Sequence, residues 1–275
     1  MSKINKLFEK LHKVPQIPEI VSILINQFYD PDTEIKDIAK NVEKEQVISL
    51  KVLRLVNSAY FSLPKKIDSI EEAVVMLGLN QVKILVIASG VVSTIPDIEN
   101  FNIKQFWLDS FCTATYAKWL ATKVHSDADI AFTVGLISGV GIILLHLGRA
   151  KEAAEIELRI KEGHTRPFVE KMRLGYTNQD VTAELCQLWN FSDDLITPVA
   201  QCGEPLLANP VSKVACVVFI ARYLSSCKYT NMLEEDILQA LPIDIVECLG
   251  LSEAFFEENL SEILALESGL DSLLN

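Results

Sequence analysis

The sequence predicts an all-α protein. Three observations carry this. Apolar residues recur three and four positions apart along nearly the whole chain, capping residues stand where such stretches begin, and clear strand alternation is absent.

Ile17, Ile20, Val21, Leu24, Ile25 and Phe28 repeat at helical spacing, and Pro31-Asp32 then breaks the chain. Ile35, Ile38, Ala39 and Val42 predict a short helix, and Val47, Leu50, Leu53 and Val56 another. Ser69 and Glu72 form a capping box before Ile70, Ala73, Val74 and Leu77. Gly78 suits the left-handed position that closes that helix. A further helix is expected from about Gln81 to Ser93, ending before Pro96. Its segment Ile84–Val92 is rich in β-branched residues and has strand propensity, but the helical pattern on either side favours a buried helix. Pro96–Asn102 is the candidate hinge. Beyond it the pattern predicts helices at about Ile103–Val124, Ala128–Leu136, Ile142–Lys161, Pro167–Leu174, Asn178–Trp189, Asp193–Cys202 and Val211–Ser226. Short helices follow near Leu233–Ala240 and Ile243–Leu249. Ser252 is placed to cap a last helix whose apolar stripe is Phe256, Leu260, Ile263, Leu264 and Leu270. That stripe can pack on the protein's own core or dock on a partner, and the former is favoured.

The 275 residues are 49% hydrophobic, which supports a sizeable core and argues against disorder. The net charge of −12 is unevenly spread. Eleven acids and no Lys or Arg follow Lys228, whereas up to Thr230 26 acids face 25 bases. The body is near neutral, and one C-terminal segment carries the acidity. An acidic chain is a poor default partner for nucleic acid. The opening MSKINKLFEKLHK has no apolar stretch of signal-peptide length, so a cytoplasmic location is expected. Ile130–Gly148 carries no formal charge, but its four glycines, Thr133, Ser138 and His146 favour a core helix broken near Gly139–Gly141 over a membrane span. The six cysteines show no CxxC and read as reduced, mostly buried thiols.

Few residues offer chemistry. His12, His125, His146 and His164 form no HxH, HExxH or His-Asp pair. His146, on an apolar run, reads as a satisfied core histidine, and the others as surface. GxSxG is absent, and Ser138-Gly139-Val140-Gly141 lacks the Lys-Ser/Thr of a phosphate-binding loop. Asp127/Asp129 and Asp193-Asp194 sit at helix starts, where carboxylates complement the dipole. Thr33–Leu55 has a helix-turn-helix rhythm, but Lys44, Lys51 and Arg54 against Glu43 and Glu45 make a weak basic face.

Several motifs together resemble the HD-related output domain, HDOD. Leu11-His12-Lys13-Val14-Pro15-Gln16-Ile17-Pro18 is similar to the family's LPxLP start. Glu45–Tyr60 (EQVISLKVLRLVNSAY) resembles its DPxLxxxLLRLxNSAxY signature, with Glu45-Gln46 in place of Asp-Pro. Ile67–Ala73 with Leu77-Gly78-Leu79 resembles IxSIxxAIxxLG. Phe106-Trp107, Ala131–Leu136 and Trp189 add later matches. The signature residues are Pro15, Pro18, Asn57, Ser58, Ala59 and Gly78. Asn57 and Ser58 are expected to hydrogen-bond a neighbouring backbone.

The resemblance implies an HD-domain-like helical bundle with an N-terminal helical lobe. An HDOD domain is expected over 11–226, with lobes at about 1–97 and 103–226, and an acidic helical segment over 231–275. HDOD domains are related to HD-type phosphohydrolases, which hold metals with histidines and aspartates from several helices. Here those places read differently. Asp109 stands for His in Trp107-Leu108-Asp109-Ser110, and Ser138-Gly139 stand for His-Asp. Asn178 stands for His in Gly175-Tyr176-Thr177-Asn178, and Cys202-Gly203 stand for His-His before Glu204-Pro205. Arg222 lies near the place of the closing Asp. The implied reading is a non-catalytic signal-transduction or regulatory module with a degenerate pocket and no metal or other cofactor. The alternative is a divergent metal-dependent phosphohydrolase acting on a nucleotide or cyclic dinucleotide. Family members are often fused to receiver or cyclic-dinucleotide modules. The 45 residues from Asn231 onward are too few for such a module, so a separate protein partner is expected. A small-molecule or nucleotide ligand in the pocket is left open. Neither nucleic acid nor a membrane is expected as partner.

Overall fold

The computed structural model describes residues 3–11, 14–26, 35–96, 98 and 101–274. Among the described residues there are seventeen α-helices and no strand. The first six are α1 (Lys3–Lys10), α2 (Glu19–Asn26), α3 (Ile35–Lys44), α4 (Gln46–Val56), α5 (Ile70–Leu77) and α6 (Leu79–Thr94). Next come α7 (Ile103–Lys123), α8 (Ala128–Ile137), α9 (Val140–Gly148), α10 (Ala150–Lys161), α11 (Arg166–Leu174) and α12 (Asn178–Leu188). The chain continues with α13 (Asp193–Gln201), α14 (Lys213–Tyr229), α15 (Glu234–Gln239), α16 (Ile243–Cys248) and α17 (Glu253–Ala265). His12, Lys13, Phe28, the expected break at Pro31-Asp32, Thr33, and Asp97, Glu99 and Asn100 of the expected hinge lie outside the described residues.

The chain divides into two compact units, each discontinuous in sequence. The smaller is Pro15–Pro96, Trp189–Phe191 and Glu267–Asn275, and the larger is Met1–Val14, Asp97–Leu188 and Ser192–Leu266. Compactness thus assigns α1 to the larger unit and divides the acidic segment after Leu266.

In the smaller unit, α6 packs against α2, α4 and α5. It is buried all round from Val82 to Val91, which is why its sequence shows no amphipathic stripe. The strand propensity of Ile84–Val92 yields to this packing. Helix α4 buries Ile48, Val52, Leu55 and Val56 on one face. Ser69 Oγ accepts from Glu72 N–H at 3.1 Å and caps α5. The return bond of the capping box goes one residue earlier, with Glu72 Oε2 accepting from Asp68 N–H at 3.2 Å. Gly78 closes α5 and opens α6 with φ +84 and ψ +154. It therefore has a positive φ but is not in the expected left-handed helical conformation. The chain must turn directly into α6, and this region of backbone space is open essentially to glycine alone.

In the larger unit, α7 packs most extensively with α8 and α14. The apolar stretch Ala128–Gly148 has a mean hydropathy of 2.2 and is 83% buried within the fold. It breaks at Ser138-Gly139, between α8 and α9. The helix expected over Ile142–Lys161 is divided at Arg149. Helix α1 lies against this point, where a Cβ on Gly148 would stand 2.5 Å from Leu7 Cδ1. A closer approach joins α9 to α12, where a Cβ on Gly141 would lie 2.0 Å from Asn178 O. Only glycine fits there.

The acidic C-terminal helices fold onto the larger unit. Phe256, Leu260 and Ile263 of α17 are buried. Tyr223 Oη donates to Ile237 O at 2.6 Å, Trp119 Nε1 to Glu262 Oε1 at 3.1 Å, and Lys228 Nζ to Leu266 O at 3.2 Å. The segment is a cap on its own core. The six cysteines are free thiols, five of them buried. Burial pushes Cys216 up to about 12, which suits unreactive core thiols.

Candidate functional site

Helices α7, α8, α11 and α14 surround a cavity of about 480 Å³. Asn102 caps α7, accepting from Gln105 N–H at 3.0 Å, and one turn on α7 presents Asp109 to the cavity. Gln105 Nε2 donates to Asp109 Oδ1 at 2.8 Å, the pairing that residues four apart on a helix allow. Burial pushes the Asp109 carboxyl above its ordinary range despite that hydrogen bond. Ser225 Oγ on α14 donates to Asp109 O at 3.2 Å, tying α14 to α7. Ser138 and Gly139, at the break after α8, form one wall. A Cβ on Gly139 would meet the Phe106 ring at 3.1 Å. Arg222, one helical turn before Ser225 and Ser226, completes it.

Four of the seven residues singled out from the sequence therefore line one cavity: Asp109, Ser138, Gly139 and Arg222. Cys202, 1% exposed, lies behind the wall, where its thiol meets the Ser138 hydroxyl and the Arg222 guanidinium. Burial pushes that thiol up, against the Arg222 charge. Asn178 and Gly203 are elsewhere. Asn178, the first residue of α12, is fully buried, and both its N–H and its Nδ2 donate to Glu170 Oε2, at 2.7 and 2.8 Å. Gly203 packs against the Gln179 carboxamide and lines a separate depression with Lys171, Asp180 and Glu204.

Arg166 also lines the cavity and was not singled out from the sequence. Its Nη2 donates to both carboxylate oxygens of Glu157, at 2.8 and 2.9 Å, and its Nη1 stands 3.5 Å from Glu170 Oε1. Burial pushes Glu170 up, outweighing the Arg166 charge and the Asn178 hydrogen bonds. Burial also acts to raise Glu157, but the hydrogen bonds and charges of His146 and Arg166 prevail and hold it below the ordinary range. The signal for Arg166 was a basic residue opening a helix, the reverse of the dipole preference. His146, 3.5 Å from Glu157 and against Phe101, is a partnered, mostly buried side chain, whereas His125 and His164 are exposed.

Among the described residues the cavity offers one carboxyl, two guanidiniums, several hydroxyls and no imidazole or thiol. Among the described residues no three His, Cys, Asp or Glu side chains are grouped to hold a metal ion. This donor set does not fit a divalent metal, because two arginines stand where cation ligands would have to converge.

The signature residues are structural in the smaller unit. Asn57 Nδ2 donates to Leu53 O and Ile67 O at 2.8 and 2.7 Å, and its Oδ1 accepts from Ile67 N–H at 2.8 Å. The expectation for Ser58 does not hold: its hydroxyl has no hydrogen-bond partner. Its backbone turns off α4 instead, with its N–H donating to Leu55 O. Ala59 is exposed on that turn. Pro15 O accepts from Trp189 Nε1 at 2.9 Å, and Pro18 O accepts from Val21 N–H to start α2.

The helix order and the gathering of Asp109, Ser138 and Arg222 define an HD-like all-α scaffold. A sequence profile described as the HDOD domain matches residues 14–205. The chain belongs to the HDOD family. A candidate phosphohydrolase of known structure from Shewanella amazonensis is 28% identical, with a TM-score of 0.81 and 98% of each chain covered. A candidate signal transduction protein from Marinobacter aquaeolei has the same fold at 17% identity, with a TM-score of 0.75, covering 98% of this chain and 66% of that one. An uncharacterized Treponema pallidum protein is 23% identical over 194 residues, which are 70% of this chain and 38% of that protein. The chain thus spans well under half the length of that curated relative.

Proposed function

We propose that the chain is a non-catalytic regulatory module of the HDOD type, acting in the cytoplasm through a separate protein partner. One observation carries the reading: the cavity presents Arg222, Ser138 and Gly139 at matched positions, with Arg166 beside them and Asp109 as the one carboxyl among the described lining residues. Metal-dependent phosphoryl chemistry needs several anionic or imidazole ligands to hold its cations. Nucleic acid is not the expected partner. On α4 the outward face carries Val47 and Leu50, 62% and 69% exposed, while Lys51 is engaged with Ser93 Oγ at 2.9 Å. A recognition helix would present basic and polar groups there.

The test is elemental analysis of the purified protein together with an assay of phosphodiester hydrolysis in Mn²⁺ and Fe²⁺. Neither stoichiometric metal nor turnover is expected. Stoichiometric metal with turnover that Asp109→Ala abolishes would overturn the reading. It would favour a divergent phosphohydrolase acting on a nucleotide or cyclic dinucleotide, an alternative supported by the likeness to the Shewanella protein over 98% of both chains.

A further inference from the structure

We propose that the cavity is a binding site for a phosphate monoester carrying a small ring, with Arg222 as the anchor for the phosphate. This deepens the non-catalytic reading and rests on it, because a guanidinium can take the place of metal charge only where no metal is held.

The argument starts from the charge that nothing answers. Among the described residues no carboxylate stands within ion-pairing distance of Arg222, and its guanidinium meets the Cys202 thiol. Cys202 is buried, and burial keeps the thiol protonated, so it supplies no countercharge. The half-buried Arg222 guanidinium therefore answers to the cavity rather than to a protein carboxylate. Arg222 is also the only formal charge between Lys213 and Lys228 on a helix that otherwise buries Val217, Val218, Ile220 and Leu224. Its fork geometry suits phosphate oxygens in a bidentate arrangement.

The remaining charges at the cavity fit the same ligand. Arg166 faces it but is already balanced by Glu157 and Glu170, so it is held in place and contributes N–H edges more than net charge. Asp109 is the one opposing carboxyl among the described lining residues, and burial raises it above its ordinary range. Ser226 and Thr230 add hydroxyls, while Phe106 and Ile142 give an apolar wall. A volume of about 480 Å³ exceeds what inorganic phosphate needs and lies within the range of small-molecule sites. The apolar wall therefore calls for an organic body beside the phosphate.

The experiment is calorimetric titration of the full chain with adenosine 5′-monophosphate, inorganic phosphate and adenosine. The monophosphate is expected to bind saturably, phosphate more weakly and adenosine not at all. Arg222→Gln should weaken the monophosphate at least 10-fold, Arg222→Lys should recover part of the loss, and Asp109→Asn should tighten it several-fold. The proposal is overturned if the wild type binds neither phosphate probe, if adenosine binds as well as its monophosphate, or if Arg222→Gln binds unchanged. Should Arg222→Gln not fold, Asp109→Asn decides: unchanged or weaker binding overturns the site. Metal-dependent turnover of a bound probe would instead overturn the non-catalytic reading and leave the anion site standing. Absence of binding without turnover would remove the site alone.

Discussion

The two compact units differ in what Asn57, Ser69 and Trp189 on one side and Arg222 on the other are answered by. In the smaller unit, Asn57, Ser69 and Trp189 close backbone hydrogen bonds that helix ends and loops would otherwise leave open. In the larger unit, the polar groups around the cavity are only partly answered. Arg222, at the cavity, has no carboxylate partner among the described residues. Side chains that complete the backbone specify a fold. Those left incomplete in a cavity are available to something else, because an open buried polar group carries a cost that a ligand can remove. By this measure the motif that marks the family is scaffold, and the positions that depart from the HD pattern are the ones to test.

The largest expected effect comes from Glu170, a fully buried carboxyl that holds the fully buried Asn178 and the half-buried Arg166. Glu170→Ala orphans Asn178 N–H and Nδ2 and removes one anion from Arg166, and should cost roughly 2–5 kcal/mol in denaturant unfolding. Glu170→Gln keeps an acceptor and separates geometry from charge. The folded-state value of Glu170 lies above its ordinary 4.5. Its contribution to wild-type stability therefore rises as pH falls through that raised value toward 4.5. Glu157, held below the ordinary range, acts in the opposite sense at lower pH. Glu170→Gln should flatten the Glu170 part of the profile while retaining most of the stability. An unchanged slope would mean that Glu170 is not the titrating group.

Next is Asn57, whose three bonds join the end of α4 to Ile67. Asn57→Ala should cost about 1–3 kcal/mol and raise amide exchange at Ile67. A loss of that size with no change in ligand binding would confirm the contrast between the units. Loss of binding with stability intact would break it.

The helices were largely legible because their signals are local. Capping by Ser69, Asp127 and Ser252 and the periodicity of α7, α12 and α14 are written in consecutive residues, whereas the caps Asn102 and Ser212 went unread. The division at Arg149 was not legible, since no proline and no side-chain cap marks it. The same distinction holds at the site. Asp109, Ser138, Gly139 and Arg222 were reached by matching motif positions to helices that meet. Asn178 and Gly203 matched the pattern but are drawn elsewhere, one by the Glu170 carboxylate and the other by packing on Gln179. Arg166 matched no pattern, and only its place at a helix start marked it.

A smaller effect is expected at Ser69, where the side chain satisfies a single helix-end N–H. Ser69→Ala should cost about 1 kcal/mol, in the ordinary range for a lost N-cap, read as a shift in the unfolding midpoint with an unchanged slope against denaturant. A change in that slope would mean that the smaller unit unfolds separately, so that its signature residues stabilise it alone.

The smallest effect should be at Arg222, and its smallness is informative. A structural arginine, removed, leaves a carboxylate uncompensated and destabilises the fold. Arg222 has no such carboxylate among the described residues, and Gln can still hydrogen-bond toward Cys202. Arg222→Gln should therefore shift unfolding by no more than about 0.5 kcal/mol, the range of substitutions outside stabilising features. A near-zero change in the free protein together with a large change in ligand-bound stability would separate a group held for binding from one held for folding, since a ligand adds stability only through the folded state that binds it. A loss of several kcal/mol in the free protein would place Arg222 with Asn57 among the scaffold residues and erase the distinction between the two units at that position.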